Sequence, residues 1–207
     1  MKDDEKQNQF IQEYLSIIKK YYDTIPVNKK NKGKLKGALV ANLIKRYIED
    51  ILFSYKLPFK VSENNVYIQG YAIECDLLIV KQDCTPIFNG PSIYRAEDVK
   101  AIIESKATGI FINMQNPQNP FLHELEMLKD LNHHGFPVKF GYISLAEAPG
   151  KSFRLLKEAN LYINKFSNDT DKNWGVYCFS STYPEDEYPL YEGNPYSFQD
   201  YIKHLCL

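Results

Sequence analysis

Two apolar runs that each carry charge at one end constrain this chain more than any other feature. Residues 73–80 place Glu74 and Asp76 around Cys75, just ahead of Leu77, Leu78, Ile79 and Val80. Residues 99–105 lead through Ala101, Ile102 and Ile103 to Glu104, and Lys106 follows two positions later. Apolar and β-branched residues dominate both runs, as in buried strands. A charge at the end of a buried run is costly unless it meets a partner or a metal. Side chains alternate faces along a strand, so Glu104 and Lys106 point the same way, as do Glu74 and Asp76. Two carboxylates and a lysine converging on a strand pair can bind a hard divalent cation and position a water for attack. The same crowding predicts that Asp76→Ala relieves repulsion among Asp76, Glu104 and Glu74.

Around these runs the pattern alternates between helical and extended. The apolar spacing in 5–23 is helical, and the Asn/Lys run at 28–32 breaks it. A second helix is expected over 34–54, with Leu39, Leu43, Ile44, Tyr47, Ile48, Ile51 and Leu52 on one stripe. Strands are expected at 59–61 and 66–69, joined by a hairpin turn at 62–65, then at 73–80, with a short strand at 86–88 and a strong one at 99–105. A helix over 121–133 ends at Gly135, and strands at 138–145 and 176–180 and a short helix at 198–205 complete the pattern. The order fits an α/β fold, a mixed β-sheet flanked by helices. The expected division is an N-terminal helical extension (1–33), a core (34–163) and a C-terminal extension packed on the core (164–207).

Length and composition are those of an ordinary globular chain: 207 residues, 25 Lys+Arg against 26 Asp+Glu. No apolar run reaches membrane-spanning length and the charged N-terminus lacks a signal core, so a cytoplasmic protein without a membrane partner is expected. The charge is uneven, with 13 Lys+Arg against 7 Asp+Glu in residues 1–60. Lys32, Lys34, Lys36, Lys45 and Arg46 form a basic run suited to phosphate backbones, or simply a solvated helix face. The four cysteines, Cys75, Cys84, Cys178 and Cys206, lack zinc-ribbon spacing and read as buried free thiols. His123 lies about three helical turns from His133 and His134, too far for one zinc ion. No phosphate-binding glycine loop and no serine nucleophile elbow is present.

The Asp76 and Glu104-Ser105-Lys106 pattern resembles the D…E-x-K arrangement of the PD-(D/E)XK nuclease superfamily, and of an uncharacterised bacterial branch of it, over residues 34–145. Lys36-Gly37 at the helix start, Leu57-Pro58 after it, and the strand carrying Glu104 add to that likeness. The resemblance implies a restriction-endonuclease-like core and a metal-dependent nuclease hydrolysing DNA phosphodiester bonds, in restriction or phage defence. It implies Mg²⁺ or Mn²⁺ as cofactor, held by Asp76, Glu104 and the Ser105 backbone carbonyl. Asp76, Glu104 and Lys106 would be catalytic, with nucleic acid, DNA in the first place, as partner, and a homodimer as one assembly. Many members carry a Glu on the first helix where this chain has Asn42, and Glu74 stands where a neutral residue is common. Glu74 and Asn42 are therefore read as support for the site. The alternative is a catalytically inactive nuclease-fold module that binds nucleic acid or a protein partner. A third class, an interaction protein, would dock through Tyr183, Tyr188, Tyr191, Tyr196 and Tyr201.

Overall fold

A computed structural model describes residues 29–106, 120–144, 175–179 and 197–207, together with the isolated positions 9, 12, 13, 16, 20, 163, 165 and 166. Most of the expected helix over 5–23, the segment 107–119 and the tyrosines at 183–196 lie outside the described residues. So does most of each terminal extension.

Helix α1 runs Lys29–Ser54, beginning five residues before the expected start. Lys29, Lys30, Asn31 and Lys32 are part of it, lysine being a good helix former; the expected break after 23 falls on residues outside the described ones. Its stripe of Val40, Leu43, Ile44, Tyr47, Ile48, Ile51 and Leu52 is buried. The helix stops where Lys56 adopts a left-handed φ of 52° and the Leu57 N–H donates to the Leu52 carbonyl. Beyond it come β1 (Phe59–Val61), β2 (Tyr67–Ile68), β3 (Leu77–Lys81), β4 (Phe88–Asn89), β5 (Ser92–Tyr94) and β6 (Val99–Lys106). Helix α2 (Pro120–His133), β7 (Lys139–Ser144), β8 (Val176–Cys178) and α3 (Phe198–Cys206) follow.

The main sheet has the order β1-β3-β6-β7-β8. Its first two pairings are antiparallel and its last two parallel, so the sheet is mixed. This is the α/β class expected, with helices on both faces. One face packs on α1 and α3 through Leu77, Ile79, Ala101, Ile103 and Ile143. The other carries Leu78, Val80, Ile102, Phe140 and Tyr142 and packs on Leu125, Leu128 and Leu131 of α2.

The expected hairpin at 62–65 does not form. Strand β1 pairs with β3, whereas β2 joins a small second sheet, β2-β5-β4, parallel to β5. Ser62 explains the divergence. Its backbone N–H donates to the Leu78 carbonyl and its Oγ accepts from the Leu78 N–H, which extends the β1–β3 pairing by one residue. The chain then turns away through Asn65, at a φ of 58°. Strand β3 also begins at Leu77 rather than 73, because Cys75 bridges Val66 instead.

Cys75, Cys84 and Cys206 are buried free thiols, as expected. Tyr201 is fully buried, so it is not a docking residue. It packs with Tyr177 at a ring separation of 5.3 Å, and Phe198 lies 4.9 Å from Tyr177. Part of the aromatic richness is therefore spent on the core between α1, β8 and α3. Among the described residues no helix is long and apolar enough to cross a membrane.

Candidate active site

The sheet register brings Asp76 and Glu104 together. Leu77 pairs with Ile103 and Leu78 with Ile102 across the antiparallel β3–β6 ladder. One step further, Asp76 stands opposite Glu104. Directly opposed residues on antiparallel strands share a face, with Cβ atoms about 4.5–5.5 Å apart. Glu104 is 6% exposed and its Oε1 accepts a charged hydrogen bond from Lys106 Nζ. The Lys106 side chain keeps 41% of its surface exposed, so the group that neutralises a buried acid also reaches solvent.

Asp76 sits just before its strand begins and completes the ladder with its side chain. Its Oδ2 accepts from the Ser105 backbone N–H at 2.8 Å and from Ser105 Oγ at 2.9 Å. Its own carbonyl accepts from the Asn65 N–H at 3.1 Å. Asp76 is thus held from two sides, and both side-chain bonds fall on one carboxylate oxygen. This changes the expectation that Asp76→Ala relieves strain. Truncation strands the Ser105 N–H, at a cost of about 1–3 kcal/mol for an unsatisfied buried donor.

Glu124 was not singled out from the sequence. Its backbone lies on α2, and its side chain is 4% exposed. Burial pushes its carboxyl up to about 8, the negative charge of Asp76 pushes in the same direction, and Lys106 pulls it down. The stripe of α2 to which it belongs packs on the sheet face that carries Leu78 and Ile102. Its Oε2 is buried without a hydrogen-bond partner, a condition shared among the described residues only by Asn64 Oδ1. Such orphaned groups are uncommon in folded chains. The signal was present in the helix period. Glu124 is one turn ahead of Leu128 and two ahead of Leu131, on the stripe that faces the sheet.

The remaining residues singled out from the sequence are placed as follows. Asn42 donates to the Ala38 carbonyl, and its Oδ1 accepts from Asn64 Nδ2 at 3.1 Å, which ties α1 to the turn beside Asp76. Glu74 accepts from the Tyr67 hydroxyl at 3.0 Å and is exposed, so that contact draws it toward β2. Lys45 pairs with Glu63 at 3.2 Å and Glu49 at 3.9 Å, and Arg46 with Glu13 at 2.7 Å. Lys36 is half-buried, and the side chains of Lys32 and Lys34 lie outside the described ones. Two clefts, of about 510 and 660 Å³, lie elsewhere, against Asp50 and Ser54 on α1 and against Asp130 and His133 on α2. Neither is lined by Asp76, Glu104, Lys106 or Glu124.

The donor chemistry suits a hard cation. Carboxylate and main-chain oxygens are the ligands that Mg²⁺ and Mn²⁺ take. Among the described residues no group of three or more acidic, histidine or cysteine side chains is arranged to hold a metal ion. The fit therefore rests on two carboxylates, Asp76 and Glu104, with the Ser105 carbonyl as the third oxygen.

No protein-family model and no curated protein matches the chain. Solved structures do resemble it. NucC of P. aeruginosa ATCC27853 in its cAAA-bound form is 17% identical, over 76% of this chain and 70% of that one, at a TM-score of 0.46. NucC of E. coli MS115-1, cAAA-bound, is 11% identical over 82% and 71%, at 0.48. Its apo form is 15% identical over 78% and 71%, at 0.40. Likeness at this level assigns no chemistry, so the site is read from this chain's own side chains. In fold, the chain is α/β: a helix, a mixed sheet with Asp76 just ahead of β3 and Glu104-Ser105-Lys106 at the end of the adjacent β6, then α2 and the parallel strand β7.

Proposed function

We infer that the protein is a metal-dependent nuclease that hydrolyses phosphodiester bonds, with DNA as substrate and phage defence as its setting. The observation that carries this reading is the carboxylate of Asp76 bonded to Ser105, directly beside Glu104, whose own carboxylate is bonded by Lys106. The likeness to NucC agrees with it without adding to it. A bound Mg²⁺ or Mn²⁺ would polarise the phosphate and acidify a water. Asp76 and Glu104 would hold that cation, and the two bonds from Ser105 keep the Asp76 carboxylate in one orientation. Lys106 exchanges its contact with Glu104 for the attacking water and the charge that develops on the phosphate. Its half-exposed side chain leaves room for that exchange.

Lys45, Arg46, Lys36 and the lysines ahead of them supply the phosphate contacts. Arg46, 64% exposed, pairs with Glu13 at 40%, whereas Lys45 is 15% exposed and pairs with the exposed Glu49 and Glu63; the Arg46 pair is the solvent-facing one. Pairs of that kind contribute little, and a polyanion competes with them.

The test is cleavage of a panel of duplex DNA, single-stranded DNA and RNA, with Mg²⁺ or Mn²⁺ and with chelator. Wild type is expected to cut with metal alone. Lys106→Ala is expected to lose roughly 100-fold or more in cleavage, the usual scale of proton-transfer catalysis, while binding within a few-fold of wild type. Binding without cleavage by wild type would replace this reading with that of a nuclease-fold binding module. Neither binding nor cleavage would leave an interaction protein.

A further inference from the structure

We propose that Glu124 is a third carboxylate of the site, a positioning residue that accepts hydrogen bonds from water bound to the cation rather than touching the cation itself. The proposal rests on the nuclease reading of Asp76 and Glu104 and assigns a residue outside the D…E-x-K pattern. Three observations carry it. Glu124 is buried on the sheet-facing stripe of α2, at a position where the same stripe otherwise offers Leu128 and Leu131. Its Oε2 is buried and has no hydrogen-bond partner. The sheet face that α2 covers carries Leu78 and Ile102, which lie two residues from Asp76 and Glu104 along β3 and β6.

The chemistry follows from the cation. Mg²⁺ takes octahedral oxygen ligands, dehydrates reluctantly and keeps several waters when few protein ligands are offered. Two carboxylates and one carbonyl leave such waters in place. Each retained water has hydrogens to donate, and inside a protein those hydrogens need acceptors. The orphaned Oε2 of Glu124 is an acceptor without a donor, beside a site whose waters are donors without an acceptor. Direct ligation is the weaker alternative, since no triad of acidic side chains among the described residues is close enough to share one ion.

The test is calorimetric titration of Mn²⁺, and separately Mg²⁺, into wild type, Glu124→Gln, Glu124→Asp and Asp76→Asn, with the melting temperature of each metal-free protein measured alongside. Removing a group that orients a ligand from outside the coordination sphere weakens metal affinity by about 10–100-fold. Glu124→Gln is therefore expected to bind at least about 10-fold more weakly, with a metal-free melting temperature equal to or above that of wild type. Glu124→Asp keeps the carboxyl group and is expected to recover part of the loss. Asp76→Asn is expected to abolish binding. Affinity of Glu124→Gln within twofold of wild type, or equal affinities for Glu124→Gln and Glu124→Asp, would overturn the role of Glu124 while leaving the nuclease reading intact. Wild-type protein that binds neither cation would overturn that reading and this one together.

Discussion

Asp76 serves two purposes that most substitutions would confuse. Its Oδ2 completes the strand ladder through Ser105, and the same carboxylate is the proposed cation ligand. Asp76→Asn retains an oxygen acceptor for the Ser105 N–H, so it isolates the loss of charge. We expect Asp76→Asn to remove the rise in melting temperature produced by Mg²⁺ or Mn²⁺, because a ligand stabilises only the state that binds it. Asp76→Ala should in addition unfold about 1–3 kcal/mol more easily without metal. Equal metal response in wild type and Asp76→Asn would place the cation elsewhere. Glu124 makes a separate prediction from its carboxyl, raised from an ordinary 4.5 to about 8. A raised carboxyl holds a proton in the folded chain that the unfolded chain gives up. Its contribution is complete below the unfolded value and is lost as pH rises through the folded one. Metal-free stability should thus fall between about pH 4.5 and 8, and Glu124→Gln should flatten that fall in denaturant titrations. Parallel pH profiles for the two proteins would remove the buried acid from the account. The pair Asp76 and Glu104 was legible because each sits in a run where charge is out of place. Glu124 was equally out of place, but on a helical period, where a charged residue between leucines draws less notice than one in a strand.

At the scale of elements, α3 packs closely on the face of the sheet opposite α2. Gly141 on β7 lies beneath α3, and a Cβ there would stand 2.7 Å from Leu205 Cδ1 and 2.9 Å from the Tyr201 hydroxyl. Both neighbours are buried side chains with little room to move. Gly141→Ala should therefore cost about 1–3 kcal/mol by overpacking, read as a lower denaturant midpoint. An unchanged midpoint would mean that α3 packs less tightly than described. The apolar stripe of α1 and the strands β6 and β7 could be read from the sequence, because a period of 3.6 or an apolar run survives without context. The pairing of β2 could not. Two strands separated by four polar residues look like a hairpin, and only the long-range bonds of Ser62 to Leu78 show that β1 already has its neighbour. The start of β3 was misjudged for the same reason, since Cys75 is drawn to Val66 by a bridge that no local pattern signals.

At the scale of the whole molecule, the mixed sheet explains why the chemistry gathers where it does. The antiparallel β3–β6 register, carried one residue past the start of β3, sets Asp76 against Glu104, and α2, between β6 and parallel β7, packs its apolar stripe on the face that carries Leu78 and Ile102. The basic run from Lys32 to Arg46 begins in a different segment from the carboxylates, so binding and cleavage should separate. Neutralising Lys32, Lys34 and Lys36 should weaken nucleic-acid binding and flatten its salt dependence by roughly one unit of slope per lost phosphate contact. The cleavage rate at saturating substrate should change little. A salt slope equal to that of wild type would return those lysines to the solvated surface. The most direct test of the central claim is the position of the cation. Crystals soaked in Mn²⁺ should show anomalous scattering at one site within coordination distance of both Asp76 and Glu104, at a spacing near the roughly 2.0–2.1 Å typical of Mg²⁺. A peak bound elsewhere, or none there at saturating Mn²⁺, would contradict it.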